Sequence, residues 1–434
     1  MSITMTTVIL FAVFGVLLFL GVPISISIVA SSIVTAMSTL SWDQITFITM
    51  QKMNSGVESF SLLAVPLFIL AGNIMNNGGI AKRLVNFAQL FVGKIPGSMA
   101  QANILGNMLF GALSGSSVAA ASAMGGCISP IEEENGYDPA YSAAANIASA
   151  PTGLLIPPTS AFIVYSTVAG GVSISTLFMA GYIPGIIWAL CCCVVGVLLA
   201  VKLGYKGTPG KFDWKNLGIC TLRALPSLSL IIVVIGGIIG GVFSATEGSA
   251  IAVVYALILA FCYRSINLKS LWKIIVDSAK MSGMVVFLVG VSNILGWVMA
   301  FLQIPDAVAA ALLSLTSNKY IILLIMNVIL LVSGTFMDVT PAILIFTPLF
   351  LPICQSFGMS TIQFGLILVY NLCIGNITPP VGNALFVGIK VGRTSLSKVM
   401  PYMLMYYVAI IGGLLLVTFI PAVSTALPQA MGLM

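Results

Sequence analysis

The chain has 434 residues, 59% of them hydrophobic and 6% charged, with a formal net charge of +6 and a mean hydropathy of +1.14. A soluble protein carries roughly 25% charged residues, so the composition excludes a water-soluble domain and reads as an all-α polytopic membrane protein. The absence of histidine removes imidazole bases, His metal ligands and His proton relays together, and the eight cysteines, with no CxxC pair, read as small packing residues.

Met1 to Thr7 has no basic residue ahead of its apolar run, so no cleavable secretory signal is expected. Residues 7–38 suffice for two short crossings, bent at Gly21-Val22-Pro23. An amphipathic connection over 39–58 and a crossing over 60–77 follow. Lys82, Arg83 and Lys94 among Leu84, Phe87 and Phe91 suit an interfacial helix over 78–97. Residues 98–131 exceed the roughly 20 residues of one crossing and predict a helical hairpin turning at Ser114-Gly115-Ser116. The acidic loop from Glu132 to Asp138 is expected to be a solvated turn. In 139–169 a helix is expected to break at Ser149-Ala150-Pro151-Thr152-Gly153-Leu154-Leu155-Ile156-Pro157-Pro158, because proline removes a backbone donor and clashes with the preceding turn. A crossing over 174–201 completes the half, and the polar stretch 202–222 reads as a linker.

The second half, 223–434, repeats the order. Crossings are expected at 224–243 and 246–263, an amphipathic stretch at 266–280, a crossing at 282–304 and an interfacial stretch at 305–319. A second hairpin spans 320–355 with Ser333-Gly334-Thr335 at its tip. A second broken helix spans 361–389, interrupted at Gly375-Asn376-Ile377-Thr378-Pro379-Pro380, and a last crossing spans 399–424. Pro157-Pro158, Gly170, Ser173 and Ser175 recur 222 residues later as Pro379-Pro380, Gly392, Ser395 and Ser397, and Asn73 recurs 220 later as Asn293. The near-constant offset predicts a duplication of 1–201 in 223–434.

Five crossings and one hairpin per half would invert the second copy. With the N-terminus outside, 15 of the 17 basic residues fall on the cytoplasmic side, leaving Lys52 and Lys319 outside. The positive-inside rule therefore places both termini outside. Paired interruptions in inverted halves point to a transport site near the bilayer midplane. Released carbonyls and hydroxyls suit a hard cation such as Na+, and half-helix N-termini suit a carboxylate.

One cation site is expected from Ser114, Gly115, Ser116, Ser149, Thr152 and Gly153. A second is expected from Ser333, Gly334, Thr335, Gly375, Asn376 and Thr378. Close helix packing is the competing explanation for these small residues. Asp338, placed inside a membrane segment, is expected to touch solute, support the cation site or pin the hairpin tip. Asn73 and Asn293 read as helix-to-helix hydrogen bonds. Enzymatic chemistry finds no footing: no second membrane aspartate, no base for a serine nucleophile and no GxxxxGK[ST] loop.

Leu62 to Met75, Leu113-Ser114-Gly115-Ser116, Leu155-Ile156-Pro157-Pro158, Met337-Asp338-Val339-Thr340-Pro341 and Ile377 to Asn383 resemble the large membrane subunit of tripartite ATP-independent periplasmic (TRAP) transporters. The likeness covers almost the whole chain. Asn73 departs from it, standing where many relatives have Glu, as does Ser117-Val118-Ala119-Ala120, which lacks an acid often found there. The resemblance implies a sodium-coupled importer of organic acids in a bacterial inner membrane, working as an elevator of transport and scaffold domains. It implies no cofactor beyond Na+ as coupling ion. The partners it implies are a small four-helix membrane subunit and a periplasmic solute-binding protein, and no nucleic acid. Residues 146–158 are similar to the sialic acid type, and solute contacts are then expected from Ser116, Thr152, Ser160, Asp338 and Asn383. The alternatives are a C4-dicarboxylate or other sugar-acid importer, a stand-alone sodium/dicarboxylate carrier, and a non-transporting scaffold subunit.

Overall fold

The computed structural model describes residues 3–207, 214–316 and 318–434, which form helices and connecting turns with no strand among them. Residues 208–213 of the expected linker lie outside the described residues. The first half contains α1 (Ile3–Phe19), α2 (Ile24–Ala36), α3 (Trp42–Val57), α4 (Ala64–Asn77), α5 (Ile80–Val92), α6 (Ser98–Ser114), α7 (Ser117–Glu134), α8 (Pro139–Ser149), α9 (Thr152–Leu155), α10 (Ser160–Val168) and α11 (Ile174–Leu203). The second contains α12 (Trp214–Ile239), α13 (Ala245–Cys262), α14 (Leu268–Phe301), α15 (Ile304–Leu315), α16 (Lys319–Phe336), α17 (Val339–Ser356), α18 (Thr361–Asn376), α19 (Asn383–Val391), α20 (Leu396–Phe419) and α21 (Pro421–Ala430). Ser117 and Val339, Pro139 and Thr361, and Ile174 and Leu396 open corresponding helices, each pair 222 residues apart.

Among the described residues, seven helical stretches are long and apolar enough to cross a bilayer. There are eight if Pro139–Leu155 and Ser160–Val168, bent by 46° at their break, count as one span. α11 shows how such a helix divides its faces. Leu190, Val194 and Leu198 are each more than half exposed and lie four residues apart, so one apolar stripe faces outward where lipid would lie. Trp188, Cys192, Val195 and Leu199 are buried against the bundle.

Four element boundaries differ from the sequence expectation. α12, expected to begin at 224, opens at Trp214 within the expected linker. The amphipathic stretch and the crossing expected at 266–280 and 282–304 form a single 34-residue helix, α14. Gly283 alone there does not stop a helix, whereas a short 3-10 turn over Phe60–Leu63 separates α3 from α4. The turn of the second hairpin falls at Met337-Asp338, and Ser333, Gly334 and Thr335 lie in the last turn of α16. The expected final crossing stops at Phe419, and Pro421 opens α21.

The packing order positions the site. α14 lies against α2, α3 and α4, and α4 also packs on α13. The first leg of each hairpin runs beside the first part of its own half's broken helix, α6 with α8 and α9, α16 with α18. The second legs cross over: α7 packs on α19 and α17 packs on α10. The two halves are therefore interlocked through the hairpins and broken helices.

Candidate functional site

In the first half, α8 ends at Ser149, and Pro151 has no N–H to continue the ladder. A single turn, α9, intervenes before Ile156 extends and Thr159 caps α10, its Oγ1 accepting from the Ala161 N–H at 3.1 Å. Gly111 of α6 lies flat against Gly153: a Cβ on Gly111 would stand 2.4 Å from the Gly153 Cα. No side chain fits such an approach, so both positions must be glycine. Gly115 turns the hairpin with φ +60°, and a Cβ there would stand 3.0 Å from the Pro158 carbonyl.

The hydroxyls of the first expected cation set are engaged unequally. Ser149 Oγ donates to the Ala145 carbonyl at 2.7 Å and accepts from Asn107 Nδ2 at 2.9 Å. Thr152 Oγ1 donates to the Ser149 carbonyl at 2.7 Å, and both side chains are fully buried. Ser116 Oγ caps α7 by accepting from the Ala119 N–H at 3.3 Å, while Ser114 Oγ has only a 3.5 Å contact to the Ser116 carbonyl. Ser114, Gly115, Ser116 and Gly153 are thus gathered around one backbone junction, with Ser149 and Thr152 behind it.

The second half builds its junction from the same parts. A Cβ on Gly375 would stand 2.3 Å from the Gly334 carbonyl carbon. Val381 N–H donates to the Thr335 carbonyl at 3.2 Å, tying the break to the hairpin. Thr378 Oγ1 donates to Ile374 O at 2.7 Å, and the Tyr407 hydroxyl donates to Ile377 O at 2.6 Å. Asn376 joins the two halves: its Nδ2 donates to Ser117 Oγ at 3.2 Å and its Oδ1 accepts from the Ala384 N–H at 2.9 Å. Cys373 Sγ lies 3.9 Å from the Pro151 carbonyl, so the two breaks adjoin.

Asp338 caps α17 through the Val339 N–H at 2.9 Å, which supports the hairpin turn. Its side chain is exposed, as is that of Asn383 at the start of α19, and Ser160 is half-buried. Asn73 makes the expected helix-to-helix bond, to Ser278 Oγ at 2.8 Å. Asn293 instead donates to its own helix at Val289 O and lies over Gly56 of α3.

Sequence reasoning missed the amides that staple each hairpin to its break. Asn107 meets Ser149, and Asn371 Nδ2 donates to Asn327 Oδ1 at 2.7 Å. Asn107 and Asn327 are 220 residues apart, Ser149 and Asn371 222. The signal was present, as buried asparagines at the duplication offset.

One end of the molecule also departs from expectation. The acidic loop is not uniformly solvated: Glu133 and Glu134 are exposed, but Glu132 is fully buried. Burial pushes its carboxyl up to about 8. Asp138 follows, its N–H donating to the Tyr205 hydroxyl at 2.8 Å and its Oδ2 accepting from Tyr402 at 2.7 Å. The loop after α7, the end of α11 and the start of α20 therefore meet at one end, and the positive-inside reading assigns all three to the same side.

A family model described as "Tripartite ATP-independent periplasmic transporter, DctM component" matches residues 11–423. An uncharacterized protein, YgiK of Salmonella typhimurium, is 48% identical over 97% of each chain. The C4-dicarboxylate TRAP transporter large permease protein DctM of Rhodobacter capsulatus is 31% identical over 99% of this chain and 100% of that one. The sialic acid TRAP transporter large permease protein SiaM of Vibrio cholerae is 32% identical over 95% and 96%. Among solved structures, the Alcanivorax borkumensis YdaH transporter superposes with a TM-score of 0.62, covering 87% of this chain and 89% of that one at 14% identity, a likeness of fold.

Proposed function

The chain belongs to the DctM-component family of tripartite ATP-independent periplasmic transporters, and from that membership we propose that it imports an organic acid across a bacterial inner membrane, driven by sodium. The observation that carries the reading is the junction itself. Two hairpins and two broken helices, one of each per half, are locked together at Gly111 with Gly153, Gly334 with Gly375, and Asn376 with Ser117. Interrupted backbone at membrane depth is tolerated where it is buried in protein or lines a cavity.

The oxygen-rich turns around Ser114 to Ser116 and around Thr335 to Thr378 are proposed to hold Na+. The N-terminus of α19, where Gly382 offers no capping side chain, is proposed to face the solute carboxylate with Asn383, alongside Ser116, Thr152, Ser160 and Asp338. Hairpins and broken helices form the proposed moving body, and α2, α3, α4, α13 and α14 belong to the proposed scaffold, with both chain termini on the periplasmic side. A small four-helix membrane subunit and a periplasmic binding protein complete the proposed system. The proposed solute is a carboxylate: sialic acid is favoured by the likeness of residues 146–158, and a C4-dicarboxylate is the competing choice.

Uptake into proteoliposomes holding this chain and its small membrane partner tests the reading. Under an inward sodium gradient, labelled sialic acid is expected to enter only when the cognate binding protein is present. Entry of a dicarboxylate instead moves the solute and keeps the machine. Entry without the binding protein favours a stand-alone carrier, and no entry of any acid favours a scaffold subunit.

A further inference from the structure

Among the described residues, Glu132 is the carboxylate that is fully buried with neither oxygen hydrogen-bonded. An ionised carboxylate so placed is strongly disfavoured, and a protonated one is tolerated far better. The Ser142 hydroxyl on α8 is itself buried and makes no full hydrogen bond, yet lies near enough to Glu132 to favour its charged form against the larger effect of burial. Ser142 also lines a cavity of about 110 Å³ between α7, α8 and the end of α19, whose wall includes Ser129, Glu133 and Arg393. Ser129 Oγ is a further buried hydroxyl without a partner. A cavity of that size with hydroxyls and charged groups in its wall holds several waters, and it opens beside residues that are exposed, Glu133 among them.

We propose that Glu132, the Ser142 hydroxyl and the adjoining cavity form a proton-binding site at the inner end of the first hairpin, loaded from water through the cavity. In the loading step the Ser142 O–H passes its proton to the Glu132 carboxylate and takes one from a hydronium in the cavity, leaving a neutral carboxylic acid and a water. The groups facing Glu132 do not replace that proton with a fixed charge. They are Tyr137 in the loop, Tyr141 of α8 and Tyr406 of α20, with Tyr205 stacked on Tyr137 and Tyr402 bonded to Asp138 at the edge. The Tyr406 hydroxyl is buried and unpartnered as well. Arg393 stands across the cavity, in its wall. Because α8, α20 and the loop after α7 supply the groups around this carboxyl, losing the proton asks water to enter between them and loosens that end of the hairpin.

The full chain in lipid nanodiscs tests this by infrared titration from about pH 6 to about pH 10, a range in which surface carboxyls are already ionised. A protonated carboxyl band is expected to fade with a midpoint near 8, to be absent in Glu132→Gln, and to persist with a raised midpoint in Ser142→Ala. Thermal midpoints give a second reading. The raised carboxyl binds its proton more tightly folded than unfolded, so stability is full below the unfolded value of 4.5 and falls as pH rises toward 8. That fall is expected in wild type and Ser142→Ala and to be missing in Glu132→Gln. A chain with no carboxyl band titrating above about pH 6 overturns the proposal, as does a midpoint unmoved in Ser142→Ala. None of these readouts depends on solute uptake, so a failure of the transport reading is separately visible.

Discussion

The two breaks share a plan and differ in exposure. Every residue from Ala150 to Thr159 is buried, with α9 filling the gap and Thr159 closing α10 by its side chain. In the second break Pro380, Val381 and Asn383 are exposed, no helical turn intervenes, and α19 starts on Gly382 at φ +30°, its Ala384 N–H taken by Asn376 from the preceding helix. A sealed break can hold a desolvated ion or simply brace the bundle. An open one, with exposed flanking residues at a positive dipole end, is the better face for a carboxylate. The corresponding elements of the two halves thus differ, one closed and the other open.

The largest effects are expected where backbone meets backbone. Gly153→Val and Gly375→Val each insert a side chain where a Cβ alone would come within 2.6 Å of the facing hairpin's backbone. Overpacking of this kind costs about 1–3 kcal/mol, and it also wedges hairpin from break. Sodium-driven uptake in proteoliposomes is expected to vanish in both. The comparison is sharpened by stability: Gly153→Val is expected to lose more thermal stability, because no exposed flank lets the first break relax. Equal losses would mean the two junctions are equally rigid.

How much of this was legible in the sequence depends on whether the cause is local. The helix interruptions were, because Pro157-Pro158 and Pro379-Pro380 act within their own turn, as was the first hairpin's turn at Gly115. The second turn was misplaced because Gly334 and Thr335 can sit in a helix; the capping of Val339 by Asp338 sets the turn. The burial of Glu132 was hidden altogether. Three consecutive glutamates before Asn135-Gly136 look solvated, and it is packing against elements distant in sequence, α20 among them, that makes the first a core residue. The amide staples were missed for a similar reason: an asparagine in an apolar run acquires meaning from its partner on another helix.

A middle-sized effect is expected at the link between halves. Asn376→Ala removes both the bond to Ser117 and the one to the Ala384 N–H, leaving a buried hydroxyl and a helix N–H without their partner. Each hydrogen bond is worth about 1 kcal/mol net, so uptake is expected to fall by roughly tenfold or more. Asn376→Asp, which keeps the acceptor toward Ala384 and accepts from the Ser117 hydroxyl, is expected to retain more. Identical losses in the two variants would show that the bridge geometry is not what matters.

The smallest effect is the one that decides between the breaks. Thr159→Ala removes the cap from α10 and leaves the Ala161 N–H without its acceptor in a fully buried place. Losing an N-cap costs about 1 kcal/mol, enough to lower the thermal midpoint by about a degree in a chain of this length. If the first break only braces the bundle, that is the whole effect, and the KM for solute stays at the wild-type value. A probe of the open side gives the counterpart: Val381→Cys is expected to react with a water-soluble maleimide and to be protected by solute, while Leu155→Cys, fully buried, is not expected to react. A Thr159→Ala chain with unchanged stability and a raised KM would reverse the assignment. The solute would then belong to the closed break, and the openness of the second would mark a passage rather than a site.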